Sequence, residues 1–255
     1  MESLRVMLVV FGILALETST PALAKPTGIP SYIHICKKSD PNVENCIKHS
    51  IEDLRPQLVK GIPELNVPAL EPLVLPEVVV SRGSNTANFK AVGKNVKVFG
   101  AGSFEIQDIK ADLDKNIFKA VITIPKLYFD ADYEVDAKIL VLPLKGRGPM
   151  TANATNVKGD IEMKGSIVEK DGEKYLKFTN TNLKVDIANY RVHLDGLFGG
   201  DKVLGEATNA ALNEGSRDFI QALTPVIEKT TGDILMKIGN QITETFTYDQ
   251  LFPEN

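Results

Sequence analysis

The chain has 255 residues, of which 43% are hydrophobic and 24% are charged, and its formal net charge is −4. This composition is typical of a globular protein and excludes a disordered polymer, a collagen and a polytopic membrane protein. Because 29 basic residues face 33 acidic ones, there is no basic excess to neutralise phosphates, and we expect no nucleic-acid partner. Only two cysteines are present, which excludes a disulfide-dense scaffold and a four-cysteine zinc site.

The first 24 residues have the pattern of a secretory signal peptide. Arg5 supplies a positive n-region, residues 6–16 form an unbroken apolar run, and Ala22-Leu23-Ala24 places small residues before a cleavage site. A transmembrane helix needs about 20 apolar residues, so the run is too short for a membrane anchor. We therefore expect residues 1–24 to be removed. Residues 25–255 should form one secreted, extracellular domain without stable membrane insertion.

Secretion decides how the cysteines and the glycosylation motif are interpreted. Cys36 and Cys46 enclose a short loop, and in an oxidising compartment we expect them to form a disulfide that contributes about 2–3 kcal/mol. The alternative, a pair of free or metal-binding thiols, needs nearby ligands, and only His34 is close in sequence. Asn153-Ala154-Thr155 is the only N-glycosylation sequon, and it marks Asn153 as a candidate surface acceptor.

The first part of the secreted region predicts one helix followed by an extended segment. Asp40-Pro41 has the pattern of an N-cap and a first helical residue. Apolar residues then recur every three or four positions over residues 47–58, with Pro56 expected to kink or shorten the last turn. Residues 61–76 carry four prolines among aliphatic residues. This composition predicts an extended apolar strap, neither a helix nor a central strand.

From about residue 89 to residue 194 the hydrophobic period is two. Apolar residues alternate with charged ones over residues 131–141, and the pattern returns over residues 161–167 and 183–194. Alternation predicts antiparallel strands with one apolar face and one solvated face. Asp171-Gly172 has the composition of a hairpin turn. No helical pattern interrupts this region, which excludes a βαβ fold.

The helical period returns in the C-terminal region. Apolar residues spaced by four or seven positions run from Phe219 to Phe246, and Asp201 can cap the helical region at its start. If residues 205–246 formed one continuous helix, it would be about 63 Å long. Pro225 is expected to kink it, and Gly215-Ser216 to weaken it locally. A sheet can cover such a helix only by wrapping along it.

The sequence therefore predicts an α+β fold in which a highly curved antiparallel sheet rolls around a long C-terminal helix. Such a roll either is a packed core or leaves a dry apolar tunnel for a lipophilic ligand, and periodicity alone leaves both open. The hydroxyl of Tyr133 either orients a ligand or bonds to the backbone. The candidate ligand-binding residues are Tyr133, Val135, Ile139, Val141, Ile161, Met163, Val185 and Ile187 on the sheet, and Phe219, Leu223, Ile227, Ile234 and Ile238 on the helix.

Motifs for catalysis and for cofactors are missing from the sequence. The three histidines have no metal-ligand spacing, and there is no Gly-x-Ser-x-Gly nucleophile elbow. Gly100-Ala101-Gly102 lacks the third glycine of a dinucleotide-binding loop. Four acidic residues at alternating positions over residues 130–136 cannot close around a calcium ion and are read as a solvated face. We expect no enzymatic activity, catalytic residue, cofactor or metal.

Five features in order resemble the insect takeout/juvenile hormone binding protein family. They are the signal peptide, the Cys36/Cys46 pair, Gly61-Ile62-Pro63 followed by PALEPL at residues 68–73, LVLPLKGRG at residues 140–148, and the terminal FTYDQLFP at residues 246–253. One departure is visible, since Gly215-Ser216 stands where the family pattern has Asn-Trp. Packing of the helix at this point is therefore expected to differ.

This resemblance implies a long helix wrapped by a curved sheet with an internal apolar tunnel. It also implies a secreted, monomeric carrier of a small lipophilic ligand, such as a juvenile hormone-like terpenoid or a fatty acid, with roles in hormone transport, circadian and feeding physiology or chemosensation. The resemblance does not identify a protein receptor. Two alternatives stay open: a membrane-surface lipid transfer or recognition module, against which the net negative charge argues, and a hormone-ester hydrolase, for which the nucleophile motif is missing.

Overall fold

The structure is a computed structural model that describes residues 28–84, 87–139, 142–214 and 216–254. Within these residues it has four α-helices and six strands, which confirms the predicted α+β class. In chain order they are α1 (Val43–Lys60), β1 (Leu73–Ser84), β2 (Ala87–Phe99), β3 (Glu105–Asp112), β4 (Ile117–Ile139), β5 (Leu142–Lys170), β6 (Glu173–Leu194), α2 (Lys202–Glu214), α3 (Ser216–Thr243) and α4 (Tyr248–Leu251). No helix in these four stretches is both long enough and apolar enough to cross a membrane.

All six strands form one antiparallel sheet in the order β1-β2-β4-β5-β6, and β3 pairs with the first part of β4. The strands β4, β5 and β6 have 23, 29 and 22 residues. At about 3.3 Å per residue, β5 alone would be about 95 Å long if it were straight and flat. A sheet with strands of this length must twist and curl to bury one face, as the sequence predicted.

The hairpin between β5 and β6 turns at the predicted dipeptide. Asp171 and Gly172 have φ angles of 54° and 81°, which is the conformation of a two-residue type I′ turn. From this turn β5 and β6 pair from Lys170 and Glu173 to Met150 and Leu194. The turn therefore sets the register of β5 and β6 as far as the register shift between Lys164 and Gly165.

The positions that point inward switch between even and odd residue numbers at one place in the sheet, about halfway along β4, β5 and β6. In β4 the apolar residues that face inward lie at even positions up to Ile124 and at odd positions from Leu127, and β5 and β6 change at the same register. Pro125 has no N–H to donate to the ladder, and Asn156 has a φ of 51°. The paired sets on either side of the change are Ile124, Val157 and Ile187, and Leu127, Ala154 and Tyr190.

Side chains of α2 and α3 cover the free edge of β6. Three asparagines each accept the N–H and donate to the C=O of one β6 residue, in the way that a neighbouring strand would. These pairs are Asn209 with Leu194 (2.9 and 3.0 Å), Asn213 with Val192 (2.9 and 2.8 Å) and Asn240 with Phe178 (2.7 and 2.9 Å). Glu228 also accepts the N–H of Val185 at 3.2 Å. We call these contacts the helix–β6 seam.

The first helix differs from its predicted limits. It begins at Val43, later than predicted, because the Asp40 carboxylate accepts the N–H of Asn42 at 2.7 Å in the preceding turn instead of capping the helix. The shortening of the last turn by Pro56, one of the two expected effects, was wrong, since α1 continues through this proline to Lys60. Pro56 lies on the exposed face, and packing of the opposite, buried face holds the helix together.

The C-terminal helical region comprises α2 and α3, which lie on either side of residue 215. That residue is outside the described part of the chain, so continuity of the helix and its local weakening at Gly215-Ser216 stay predictions. The predicted end at residue 246 was wrong, since α3 ends at Thr243. Asp201 accepts the N–H of Leu204 at 3.0 Å and so caps the start of α2 as predicted. Pro225 lies within α3. Phe246 follows the end of α3 and is one of the most buried side chains of the protein, with 1% of its surface exposed.

The proline-rich strap leads into the sheet earlier than expected. A 3₁₀ turn at Pro63–Leu65 is closed by a bridge between Ile62 and Val67, and β1 begins at Leu73. The expectation that the strands begin near residue 89 was wrong, whereas the exclusion of a central strand at residues 61–76 agrees with the position of β1 in the sheet. A proline is tolerated here because β1 is an edge strand. The predicted disulfide between Cys36 and Cys46 is confirmed and precedes the strap.

Candidate functional site

The candidate site is the space between the inward face of the sheet and α3, which we call the interior. Two buried clusters lie at opposite ends of α3. The α2-end cluster packs against Phe219 and Ala222, and the α1-end cluster packs against Ile238 and Ile242. The α2-end cluster is formed by Tyr133, Val135, Leu144, Val192, Leu194, Leu197 and Leu212. The α1-end cluster is formed by Ile33, Leu54, Leu58, Ile62, Leu65, Val67 and Phe246.

Between these ends, apolar side chains of the sheet and of α3 face each other. Ile234 packs against the buried cluster of β1, β2 and β4 around Ala131. Met163 and Met236 pack against the cluster of Leu176, Phe178 and Tyr248. Methionine and isoleucine offer no strong hydrogen-bonding group. The middle of the interior is therefore an apolar surface contributed by several strands and one helix.

The predicted residues in the middle of the interior are only partly buried. Close packing of a filled core would leave such side chains with almost no accessible surface. Ile161 lies two residues from Met163 on the same face and opposite buried Leu183, so its side chain projects from the inward face of the sheet. The apolar residues that share this partial exposure are Ile161, Met163, Val185, Ile187, Leu223, Ile227, Ile234 and Ile238.

Tyr133 and Val135 lie in the packed α2-end cluster rather than beside this surface. The Tyr133 hydroxyl donates to the backbone oxygen of Asp195 at 2.7 Å, which is the second of the two roles that the sequence left open. Burial, and then the negative charge of Asp195, raise the pKa of Tyr133 to about 12. With its hydroxyl bonded, Tyr133 acts as a structural link between β4 and the loop after β6.

Tyr190 was not among the candidate residues, although it lies beside the interior. Its hydroxyl donates to the backbone oxygen of Leu212 at 2.6 Å, and its ring stacks on Phe219 with the centroids 5.8 Å apart. Burial raises the pKa of Tyr190 to about 12. The alternating pattern contained Tyr190, but it could not show that α2 and α3 meet β6 at this point. The predicted residue Phe219 is thereby held at the α2 end of the interior.

Several predicted features lie outside the described residues. These are the signal peptide at residues 1–24, Val141 and the side chain of Ile139. Asn153 is half-buried on β5, between Tyr128 on β4 and Arg191 on β6, and its glycosylation stays a prediction. In the part of the chain that the structure describes, no group of three His, Cys, Asp or Glu side chains is arranged to hold a metal ion.

A surface depression in the described part of the chain lies away from the interior. It has a volume of about 280 Å³ and opens at the place where β4 and β5 change phase, beside Pro125 and Asn156. Glu105 and Lys158 contribute charged side chains to its lining, and no residue of α3 takes part. It is therefore an open surface feature of the bend, distinct from the apolar site that the sequence predicted.

Residues 8–253 match the family model of the haemolymph juvenile hormone binding proteins (JHBP). The chain belongs to this family. The resemblance drawn from the five sequence features is thus confirmed over nearly the whole chain. The JHBP family is one of binding proteins, which agrees with a site made of apolar side chains.

Individual relatives are similar over most of their length. The chain is 26% identical to a putative beta-carotene-binding protein of Schistocerca gregaria over 84% of this chain and 86% of that one. It is 28% identical to the circadian clock-controlled protein daywake of Drosophila yakuba over 88% of each chain. The crystal structure of Epiphyas postvittana Takeout 1 covers 87% of this chain and 100% of that one, with a TM-score of 0.73 and 19% identity. This likeness shows that the JHBP chain has the takeout fold.

Proposed function

We propose that the protein is a secreted carrier that binds a small lipophilic ligand in the interior between the sheet and α3. The observation that carries this proposal is the partial burial of the inward apolar side chains between the clusters at the two ends of α3. A terpenoid or acyl chain in this position would remove its own surface and the surface of these side chains from water. The interior would then be a tunnel rather than a packed core, and residues 25–255 would be the secreted form.

The hydrophobic effect is large enough for useful affinity. Burying a chain of about 15 carbons contributes on the order of 10 kcal/mol at about 0.8 kcal/mol per methylene. Lost translation and ordering of side chains offset several kcal/mol of this. The remainder corresponds to dissociation constants between micromolar and nanomolar. No strong polar contact is required for binding, and polar groups would set the orientation of the ligand.

The comparisons support a lipophilic ligand as a class but do not identify the compound. The family is described as haemolymph juvenile hormone binding, and one relative is named for binding beta-carotene. Another relative is named as circadian clock-controlled, which makes a role in hormone transport or daily physiology part of the proposal. Carriage in an extracellular fluid also suits the disulfide between Cys36 and Cys46.

Native mass spectrometry of residues 25–255 tests the proposal directly. The protein is stripped of lipid with organic solvent, refolded, and offered a panel of terpenoids, fatty acids and carotenoids. We expect one ligand per chain to be retained. Absence of any bound species before stripping and of any uptake afterwards would overturn the proposal. Flotation with liposomes in the absence of free ligand would favour the membrane-surface alternative instead.

Substitutions at two neighbouring residues of α3 test where the ligand binds. Ile234→Asp puts a carboxylate among the apolar groups of the interior, and we expect it to lower uptake at least tenfold because burying an unpaired charge is costly. Asp233→Asn changes an exposed residue on the outer face of α3 and should leave uptake unchanged. If Ile234→Asp is unstable, Ile227→Phe adds volume without charge, and it should also weaken uptake. Unchanged uptake in both interior variants would contradict this site.

A further inference from the structure

Four residues, one each on β2, β4, β5 and β6, form a row across the outer face of the sheet, which we call the outer row. Phe99 pairs with Tyr128, and Tyr128 pairs with Asn153. Asn153 in turn pairs with Arg191 of β6. The next residue of β5, Ala154, is buried on the inward face. Since successive side chains of a strand point to opposite faces, the outer row points away from the interior.

The outer row contains an aromatic pair that faces solvent. Among the residues whose side chains the structure describes, Phe99 is the only exposed aromatic residue, with 37% of its surface accessible. Its ring lies 5.9 Å from that of half-buried Tyr128, at an angle of 42°. The adjacent outward positions on the same two strands, Lys97 and Asp130, are charged and exposed. The pair is therefore an apolar surface within a charged one, and its rings offer their faces to a partner.

The side-chain amide of Asn153 is free to carry a modification. No hydrogen bond joins it to another described residue. Neither of its polar atoms is among the described buried atoms that lack a partner, so the amide is open to solvent. Asn153 and Thr155 are the acceptor and the hydroxyl of the sequon. A sugar on Nδ2 would leave the sheet on the outer face and displace no contact.

We propose that Asn153 carries an N-linked glycan whose first sugars pack on the Tyr128–Phe99 pair. Directly opposed residues of an antiparallel sheet have Cβ atoms about 4.5–5.5 Å apart, so the first sugar stands beside the Tyr128 ring. Phe99 lies one strand further on, about 10 Å from Asn153 at about 4.8 Å per strand, where the second sugar reaches it. The C–H groups on one face of a pyranose carry partial positive charge and suit the negative face of an aromatic ring.

The modification is a group transfer in the secretory pathway from an oligosaccharide linked to a lipid pyrophosphate. A bond forms between Asn153 Nδ2 and the anomeric carbon of the first sugar. The bond from that carbon to the pyrophosphate oxygen breaks, the lipid pyrophosphate leaves with the electron pair, and the amide loses one proton. The inference depends on the secretion that the proposed function includes, and it is independent of the lipophilic ligand.

Two preparations of the same chain isolate the effect of the glycan. Residues 25–255 are secreted from mammalian cells behind a heterologous signal peptide, and the unglycosylated form is made in the bacterial periplasm. We expect mass spectrometry to find Asn153 occupied in the first form. The glycan should raise its thermal midpoint by about 2–4 °C, the shift that a modest gain in packing produces in a domain of this length.

A substitution of the platform tests where the glycan lies. In Tyr128→Ala, the difference between the two preparations should fall to half or less, because the contact that couples the glycan to the sheet is lost. Tyr175→Ala is the matched control, since Tyr175 is a half-buried tyrosine of β6 next to inward Leu176 and far from Asn153. This variant should keep the full difference. If Tyr128→Ala does not fold, Phe99→Ala provides the same comparison.

Each other outcome overturns the inference in an identifiable way. An unoccupied Asn153 overturns it and leaves the carrier function standing. An occupied Asn153 whose glycan shifts the wild type and Tyr128→Ala equally, or shifts neither, overturns the packing on the aromatic pair. Self-association of the unglycosylated chain that Phe99→Ala abolishes, with no stabilisation by the glycan, assigns the pair to a second copy instead. Failure of both preparations to take up a lipophilic compound overturns the carrier function and leaves this inference standing.

Discussion

The side-chain amide of Asn213 on α2 pairs with both backbone groups of Val192 on β6. Its Oδ1 accepts the Val192 N–H at 2.9 Å, and its Nδ2 donates to the Val192 C=O at 2.8 Å. The same Nδ2 also donates to the backbone oxygen of Asn209, one turn earlier, at 2.7 Å. One short side chain thus satisfies a strand edge and ties it to the helix, so the helices hold the sheet through hydrogen bonds as well as through apolar packing.

Asn213→Ala should destabilise the fold. It removes these bonds and leaves two backbone groups of a strand edge without partners, which costs about 1–3 kcal/mol. Asn189→Ala is the matched control, because Asn189 is an exposed residue of the same strand whose side chain donates only a long bond of 3.5 Å to Thr155. We expect this control to change stability by less than about 0.5 kcal/mol. Urea unfolding measures both, and equal losses would contradict a specific role of the seam.

Gly146→Ala should also destabilise, for a steric reason. A Cβ at Gly146 would lie 2.8 Å from the Cα of Leu197 and 2.9 Å from the backbone oxygen of Gly196. Backbone must move to relieve this contact, which costs about 1–3 kcal/mol. Gly205→Ala in α2 has room, with its nearest neighbour at 3.9 Å, and should stabilise by about 0.5–1 kcal/mol through helix propensity. The two thermal midpoints should shift in opposite directions; a shift in the same direction would refute the steric account.

Tyr133→Phe tests whether the Tyr133 hydroxyl has a structural role or contacts the ligand. The variant loses one hydrogen bond to the backbone oxygen of Asp195, and we expect a loss of about 0.5–1.5 kcal/mol in unfolding free energy. Uptake of a neutral lipophilic probe should stay within twofold of wild type, because the hydroxyl is occupied within the α2-end cluster. A large loss of uptake at unchanged stability would instead assign Tyr133 to the ligand.

Stability should fall as the pH rises above 10. Tyr133 and Tyr190 have pKa values of about 12 in the folded protein because burial favours the neutral phenol, whereas an unfolded tyrosine has a pKa of about 10. Below pH 10 both states keep the proton. Between pH 10 and 12 the unfolded state loses it first, and unfolding becomes easier. Urea midpoints from pH 9 to 11.5 measure this decline, and Tyr190→Phe should make it shallower; an unchanged decline would exclude Tyr190 as a contributor.

Local patterns in the sequence predicted the parts of the fold that depend on local physics. The alternation through Tyr133 and Val135 identified the buried face of β4, and Asp171-Gly172 identified the hairpin, since each depends on side-chain period or φ alone. The α1 start and the β1 strand were missed. The start of α1 depended on a local choice, because Asp40 bonds to Asn42 in a turn instead of capping the helix. The β1 strand depended on tertiary context, because its edge position tolerates Pro76.

The sequence predicted the apolar character of the candidate site, but it did not predict which distant segments meet there. Apolar positions on α3 such as Ile234 were correctly placed on an inward face, because the helical period fixes which residues share a side. The phase change at Asn156 and the stacking of Arg55 on Phe104 could not be predicted. Each depends on which distant segments meet, and a single sequence carries no direct information about such pairings.

The helix–β6 seam also bears on solubility. An open strand margin is a template on which a second molecule can add its own strand and begin to aggregate. Along β6 the amides of Asn209, Asn213 and Asn240 occupy that template. The backbone groups of Leu194, Val192 and Phe178 are thereby unavailable to an incoming strand.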